Sequence, residues 1–221
     1  SGFIVCAKSP SCGMERVRLY DEKGNRGRKE GVGLFTGALM ARYPWLPVEE
    51  DGRLHDPLLR ENFVERVFAL HELNALRARG LTRHGLLAFH SRYKLQLLAH
   101  HQAGYREIGP FVASLHEWED LEAFFEVYRE KLMAILKQPA SRKNHTNVLM
   151  HIQGYFRDQL NSRQRGELRE VILNYRAGLL PILAPLTLLK HYLAEYPDRY
   201  LQAQNYFDPY PQDLALRLTV N

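Results

Sequence analysis

Asp56-Pro57-Leu58-Leu59-Arg60-Glu61-Asn62-Phe63-Val64-Glu65-Arg66-Val67-Phe68-Ala69-Leu70-His71-Glu72-Leu73 decides the fold class of this 221-residue chain. Asp56 is a good helix N-cap, and Pro57 suits the first helical position, where its missing N–H is no loss. Leu59, Phe63, Val67, Leu70 and Leu73 then recur at helical spacing, and Gly80 ends the run. The same pattern continues downstream. Residues 85–101 read as a helix. Leu121, Phe124, Phe125, Tyr128, Leu132 and Ile135 mark another. Residues 144–160 carry Leu149, Ile152, Phe156 and Leu160 on one stripe, and 167–179 and 185–196 follow. The segment 200–221 holds Pro209 and Pro211 and reads as largely extended. Short polar connectors favour antiparallel neighbours in a bundle.

Upstream of Asp56 the pattern changes. Phe3-Ile4-Val5-Cys6-Ala7 is a continuous apolar run, as in a strand buried on both faces. Val17-Arg18-Leu19-Tyr20 alternates as a second strand. Asp21 to Asn25 reads as a turn, the basic stretch to Lys29 as a loop, 33–43 as a helix stopped by Pro44, and 47–52 as a brief extended piece. Two short strands and a helix do not make an α/β domain by themselves, so the remaining strands are expected upstream of Ser1. The expected fold is therefore mainly α: a multi-helix bundle preceded by a small α/β remnant. The expected divisions are 1–55, a connecting helix over 56–81, and 82–221.

Composition narrows the classes. At 45% hydrophobic the chain can bury a core, and no apolar run reaches the ~18–20 residues that cross a bilayer. No signal-peptide pattern opens it, and only Cys6 and Cys12 occur, so a reducing cytoplasm is expected. The net charge of +5 suits a polyanionic partner without requiring one.

Cys12 stands in Ser9-Pro10-Ser11-Cys12-Gly13, a turn after a strand, where backbone N–H groups and exposure suit a thiolate acting as ligand or nucleophile. By spacing alone it reads as an ordinary loop cysteine, since Cys6-x5-Cys12 matches neither zinc-ribbon nor ferredoxin spacing. The segment from Phe3 to Gly13, with Gly33-Leu34-Phe35 beyond it, resembles the C-terminal part of the thiouracil desulfidase family. That resemblance implies a [4Fe-4S] cluster held by three cysteines, with one open iron that takes the substrate's sulfur. Cys12 matches the third cluster cysteine, and Cys6 reads as a buried strand residue. The family's other two cluster cysteines and its acidic catalytic residue would lie before Ser1. The chain is thus expected to be part of a longer protein, and no cluster is expected on it alone.

The helical region is rich in His, Tyr, Asn and Arg. His90 and Lys94 share a helix face with Leu87, Leu98 and His101; His151 and Tyr155 lie one turn apart; His191 follows Lys190. Gly154 sits mid-helix, where glycine costs ~1 kcal/mol against alanine and usually permits close contact or leaves room for a ligand. Three readings are open. A metal site lacks support, because His71-Glu72 is not completed to His-Glu-x-x-His. Ordinary core-edge packing accounts for most of these residues. An RNA surface is the third: Arg92 with Lys94, and Arg142 with Lys143 and His145, form basic clusters. Arg77, Arg79, Arg83 and His84 form a third, and Arg163 with Arg165 a fourth.

His90-Ser91-Arg92-Tyr93-Lys94, the run from Asn144 to Phe156, Tyr175-Arg176-Ala177-Gly178, the run from Pro185 to His191, and Tyr200-Leu201-Gln202-Ala203-Gln204-Asn205-Tyr206 resemble the YbgA family. Members occur alone or fused behind a desulfidase domain, and the fused proteins resemble enzymes that remove sulfur from 4-thiouridine in tRNA. The resemblance implies a tRNA partner, with Arg92, Lys94, Arg142, Lys143, His90, His151, Tyr155 and His191 as candidate contacts, and an upstream desulfidase domain. The alternative is a non-catalytic helical module that docks a protein partner.

Overall fold

The structure, a computed structural model, describes residues 1–24 and 26–218. Asn25, in the expected turn, and 219–221, in the expected extended tail, lie outside the described residues. The N-terminal part holds β1 (Phe3–Val5), β2 (Val17–Tyr20), β3 (Arg26–Gly31), α1 (Leu34–Arg42) and β4 (Val48–Glu50). β1 pairs in parallel with β4, Phe3 opposite Val48, and β2 pairs antiparallel with β3, Val17 opposite Gly31. The basic stretch expected as a loop is therefore mostly strand. Arg28, Lys29 and Glu30 are exposed, so no apolar alternation marks it.

β1 is shorter and barer than its composition suggested. Val5 is buried, but Phe3 and Ile4 are exposed, and among the described residues β1 pairs along one edge alone, with β4. Cys6, expected inside a buried strand, lies beyond the strand's end and is exposed.

The rest is helical: α2 (Pro57–Ala78), α3 (Arg83–His100), α4 (Gln102–Ala113), α5 (Leu121–Leu136), α6 (Arg142–Tyr155), α7 (Ser162–Arg176), α8 (Leu183–Glu195) and the single turn α9 (Arg199–Gln202). Capping explains the starts. Asp56 accepts from Leu58 and Leu59 N–H, Asp120 from Glu122 and Ala123, and Ser141 from Asn144. α7 starts five residues before the expected 167, because Asn161 and Gln164 form a reciprocal capping box. α4 carries Gly104, Gly109 and Pro110, residues that hide a helix from a periodicity reading.

Two apolar clusters share α3 as their common wall. Leu86, Phe89, Tyr93 and Leu97 face α2, α4 and α5, where Leu70, Leu73, Ile108, Phe125 and Leu132 are buried. Leu95 and Ala99 face the other way, onto Val148, Leu149 and Ile152 of α6, Ile172 of α7, Leu189 of α8 and Tyr206. The fold is thus mainly α after a small α/β part, as the pattern predicts, and α2 is packed into the body through Ala69, Leu70 and Leu73. Among the described residues no helix is long and apolar enough to cross a membrane.

Candidate functional site

The cysteine loop is built rigidly. Gly13 N–H donates to the Ser9 carbonyl (2.8 Å), and Cys12 N–H donates to Ser9 Oγ (3.1 Å). The loop then sits on the N-terminus of α1: Leu34 N–H donates to the Pro10 carbonyl (3.1 Å), Phe35 N–H to the Ser11 carbonyl (3.0 Å), and Thr36 Oγ1 to the Cys12 carbonyl (2.7 Å). The first amides of that helix therefore hold the loop's carbonyls. Gly33 makes the approach possible, since a Cβ there would meet the Ser11 carbonyl oxygen at 2.4 Å. From the other side, buried Glu50 accepts from Met14 N–H at 2.9 Å. Cys12 is left half-buried.

A [4Fe-4S] cluster of the expected kind needs three thiolates. The chain has two cysteines, and among the described residues no group of three His, Cys, Asp or Glu side chains is placed to hold a metal ion. The residues present do not fit the cluster by themselves; Cys12 can supply one thiolate.

On the helical body the candidate residues separate. His90 is in the core: its Nδ1 lies 3.1 Å from Tyr128 Oη, and burial pulls its pKa down to about 4, with the nearby Lys94 charge acting the same way. The expected shared face of His90 and Lys94 is therefore a boundary, with the imidazole inside and the half-exposed ammonium outside. Arg92 is ion-paired with Glu72 of α2. Arg142 donates from Nη1 to the Tyr175 carbonyl (2.7 Å) and lies over the Tyr175 ring. Arg77, Arg83, Arg163 and Arg165 likewise have partners within the chain. Lys143 is exposed, and among the described residues neither it nor Lys94 has a side-chain partner. His191 is exposed on α8 against the Tyr192 ring.

His151 and Tyr155 do come together at the surface. Their rings stand edge to face at 5.5 Å, and Tyr155 stacks on Tyr200 of α9 at 5.8 Å with 17° between planes. Gly154 beside them is exposed, with no atom within 4 Å of where a Cβ would stand, so it opens a surface instead of a helix contact.

Two features escaped the sequence reading. The first is Gln204. Its Nε2 donates to the Ser91 carbonyl (2.7 Å) and its Oε1 accepts from Leu95 N–H (3.2 Å), the two groups that pair with each other in a regular α-helix. The Arg92 carbonyl accepts from Asn205 N–H in the same stretch.

The second is a buried ionic network between α2, α3, α6 and the C-terminal segment. Arg217, 4% exposed, donates to Glu61 (2.7 Å), Glu65 (2.9 Å) and the Tyr206 carbonyl (3.0 Å). Glu65 also lies 2.8 Å from His100 Nε2. Burial alone would push Glu65 up, but the hydrogen bond with His100 and the charges of His100 and Arg217 hold it at about 2. Burial and the Glu65 charge push Glu61 the other way, upward. His145, with Nδ1 2.9 Å from Tyr206 Oη, is kept neutral by burial and by Arg217, its pKa drawn down to about 3. A cavity of about 300 Å³ opens onto Glu61, Arg142, His145 and Arg217. An i, i+4 glutamate pair among the apolar positions of α2, with Asn62 and Arg66 buried beside it, was the available sequence signal.

Residues 94–211 match the family described as Protein of unknown function (DUF1722), and residues 1–51 match the family described as 2-thiouracil desulfurase. Over 152 residues the chain is 51% identical to Uncharacterized protein YbgA of Escherichia coli (strain K12), a stretch that takes in 69% of this chain and 90% of that relative. No solved structure matches the chain. With half the chain under the DUF1722 match and a relative at that level of identity, the protein belongs to the YbgA family, and its first 51 residues carry a 2-thiouracil desulfurase likeness.

Proposed function

We propose that this chain is part of a cytoplasmic tRNA 4-thiouridine desulfidase-like protein, divided into desulfidase-type residues 1–55, a connecting helix 56–81 and a helical domain 82–221 that grips the tRNA. Cys12 is one ligand of a [4Fe-4S] cluster whose other thiolates come from outside these 221 residues. The observation that carries the reading is the 2-thiouracil desulfurase match over residues 1–51, with Cys12 in a rigid half-open loop, joined to a basic helical domain. A macromolecular anion supplies phosphates beyond the reach of one cysteine loop, and Lys94 and Lys143 are cations with no internal partner among the described residues.

The test is titration of tRNA against the whole chain at several salt concentrations. Affinity is expected to fall with a log–log slope of ~0.7–0.9 per neutralised phosphate. Lys94→Glu with Lys143→Glu is expected to lower both affinity and slope. Arg92 and Arg142 are poorer probes, because their reversal would also break internal pairs.

A second reading has its own observation. Phe3, Ile4, Leu19, Tyr20, Val32, Leu34 (85% exposed) and Phe35 leave apolar surface open in the N-terminal part. This favours docking of a protein surface or a neighbouring domain there. No tRNA binding at low salt, or binding indifferent to both lysine reversals, would leave docking as the function.

A further inference from the structure

The surface around Tyr155 combines two properties that suit a nucleic-acid ligand. It is aromatic: Tyr155 (39% exposed) and Tyr200 stack, and His151 closes the edge. Tyr105 of α4 is near enough to act electrostatically on both phenols. Exposed arginines also adjoin its tyrosines in sequence. Arg106 follows Tyr105, Arg157 lies two residues past Tyr155, and Arg199 precedes Tyr200. All three are exposed, and among the described residues none has a side-chain partner. That contrasts with Arg77, Arg83, Arg92, Arg142, Arg163 and Arg165, each of which has an internal one. Among the carboxylates, Asp198 acts on the Tyr155 phenol and caps α9 by accepting from Leu201 N–H at 2.8 Å, while Glu107 and Asp158 follow Arg106 and Arg157 in sequence. Burial, the Asp198 charge and the neighbouring tyrosine raise the Tyr155 pKa, so the phenol adds no charge that would repel a phosphate.

We propose that the Tyr155–Tyr200 stack is the seat of an unpaired RNA base, with the flanking phosphates held by Arg106, Arg157 and Arg199. The inference rests on the RNA reading above and names the contact mode within it. A base offers a π-face to any ring, so the stack needs no particular sequence, and each stacked base contributes ~1–3 kcal/mol. His151 stands edge to face with Tyr155 at 5.5 Å, and no atom lies within 4 Å of where a Cβ on Gly154 would stand.

The experiment is fluorescence anisotropy with the whole chain, using a labelled single-stranded oligouridylate and, in parallel, tRNA. Tyr155→Ala is expected to weaken oligouridylate binding by about 5- to 150-fold, the equivalent of ~1–3 kcal/mol, with the salt slope unchanged. Tyr155→Phe, which keeps the ring, is expected to stay within about twofold of the parent. Arg106→Ala and Arg157→Ala are each expected to lower the salt slope by ~0.7. Tyr200 is half-buried, so Tyr155 is the primary probe, with far-UV circular dichroism to show that each variant is folded. If the parent binds tRNA but Tyr155→Ala binds both ligands as tightly, or if the parent binds tRNA and not the oligouridylate, the seat is wrong and the RNA reading stands. If the parent binds neither at low salt, both fail.

Discussion

Arg217→Ala is the sharpest test of how this fold is held. The side chain is 4% exposed, donates to Glu61, Glu65 and the Tyr206 carbonyl, and lies over the rings of Tyr206 and Tyr210 at 5.8 and 5.6 Å. Its loss leaves two carboxylates facing each other, with Glu65 still held by His100 and Glu61 by Tyr210. Breaking a buried pair from one side costs ~3–5 kcal/mol. With an m-value of ~2 kcal/mol/M, the urea midpoint should drop by about 2 M at pH 7.5. The sign with pH follows from the carboxylates. In the parent Glu65 sits at about 2, below its ordinary 4.5, so its contribution is complete above pH 4.5 and is lost as pH falls towards 2. In the variant a carboxylate left without the guanidinium can take up a proton and become neutral, so the penalty at pH 5 should be smaller than at pH 7.5. Urea unfolding followed at 222 nm at both pH values measures it. A penalty below ~1 kcal/mol, or one identical at the two pH values, would refute the view that Arg217 neutralises a buried acidic pair.

Other expectations follow from single contacts. His145 and His90 titrate near 3 and 4 in the fold, below the ordinary 6.5, so each makes stability fall by up to ~1.4 kcal/mol per pH unit as pH drops below 6.5. His145→Phe or His90→Phe should flatten thermal stability measured from pH 6.5 to 4.5. Exposed Cys6 should react with iodoacetamide faster than half-buried Cys12, and Gly33→Ala, which pushes on the Ser11 carbonyl, should speed Cys12 labelling in a Cys6→Ser background. Equal Cys12 rates would show that α1 does not hold the loop. Gln204→Glu should destabilise more than Gln204→Ala in urea, because it sets a buried carboxylate that cannot donate against the Ser91 carbonyl, whereas alanine only removes the two contacts.

The helices were legible where local chemistry and burial agree. Asp56-Pro57 starts α2, and its apolar spacing points into the core. α4 was not, since Gly104, Gly109 and Pro110 disfavour a helix that packing of Ile108 and Val112 nonetheless stabilises. β3 was hidden because its exposed hairpin needs no apolar alternation. Of the candidate site, the His151–Tyr155 pairing follows from i, i+4 spacing. The stacking of Tyr155 on Tyr200 joins elements far apart in sequence, and no local pattern encodes it. His90 looked equivalent to Lys94 one turn away. The imidazole turns inward to Tyr128, a contact between separate helices that no local pattern encodes.

The side chain of Gln204 has a consequence for the order of folding. It reaches back 109 and 113 residues to Leu95 and Ser91, and such contacts form late, after the loop between them has closed. Until then the Ser91 carbonyl and the Leu95 N–H have only their own helix and water to satisfy them. When the segment docks, both also gain the Gln204 amide. The turn between them carries Arg92 and Lys94, so the far end of the domain braces the stretch of helix that presents those two cations.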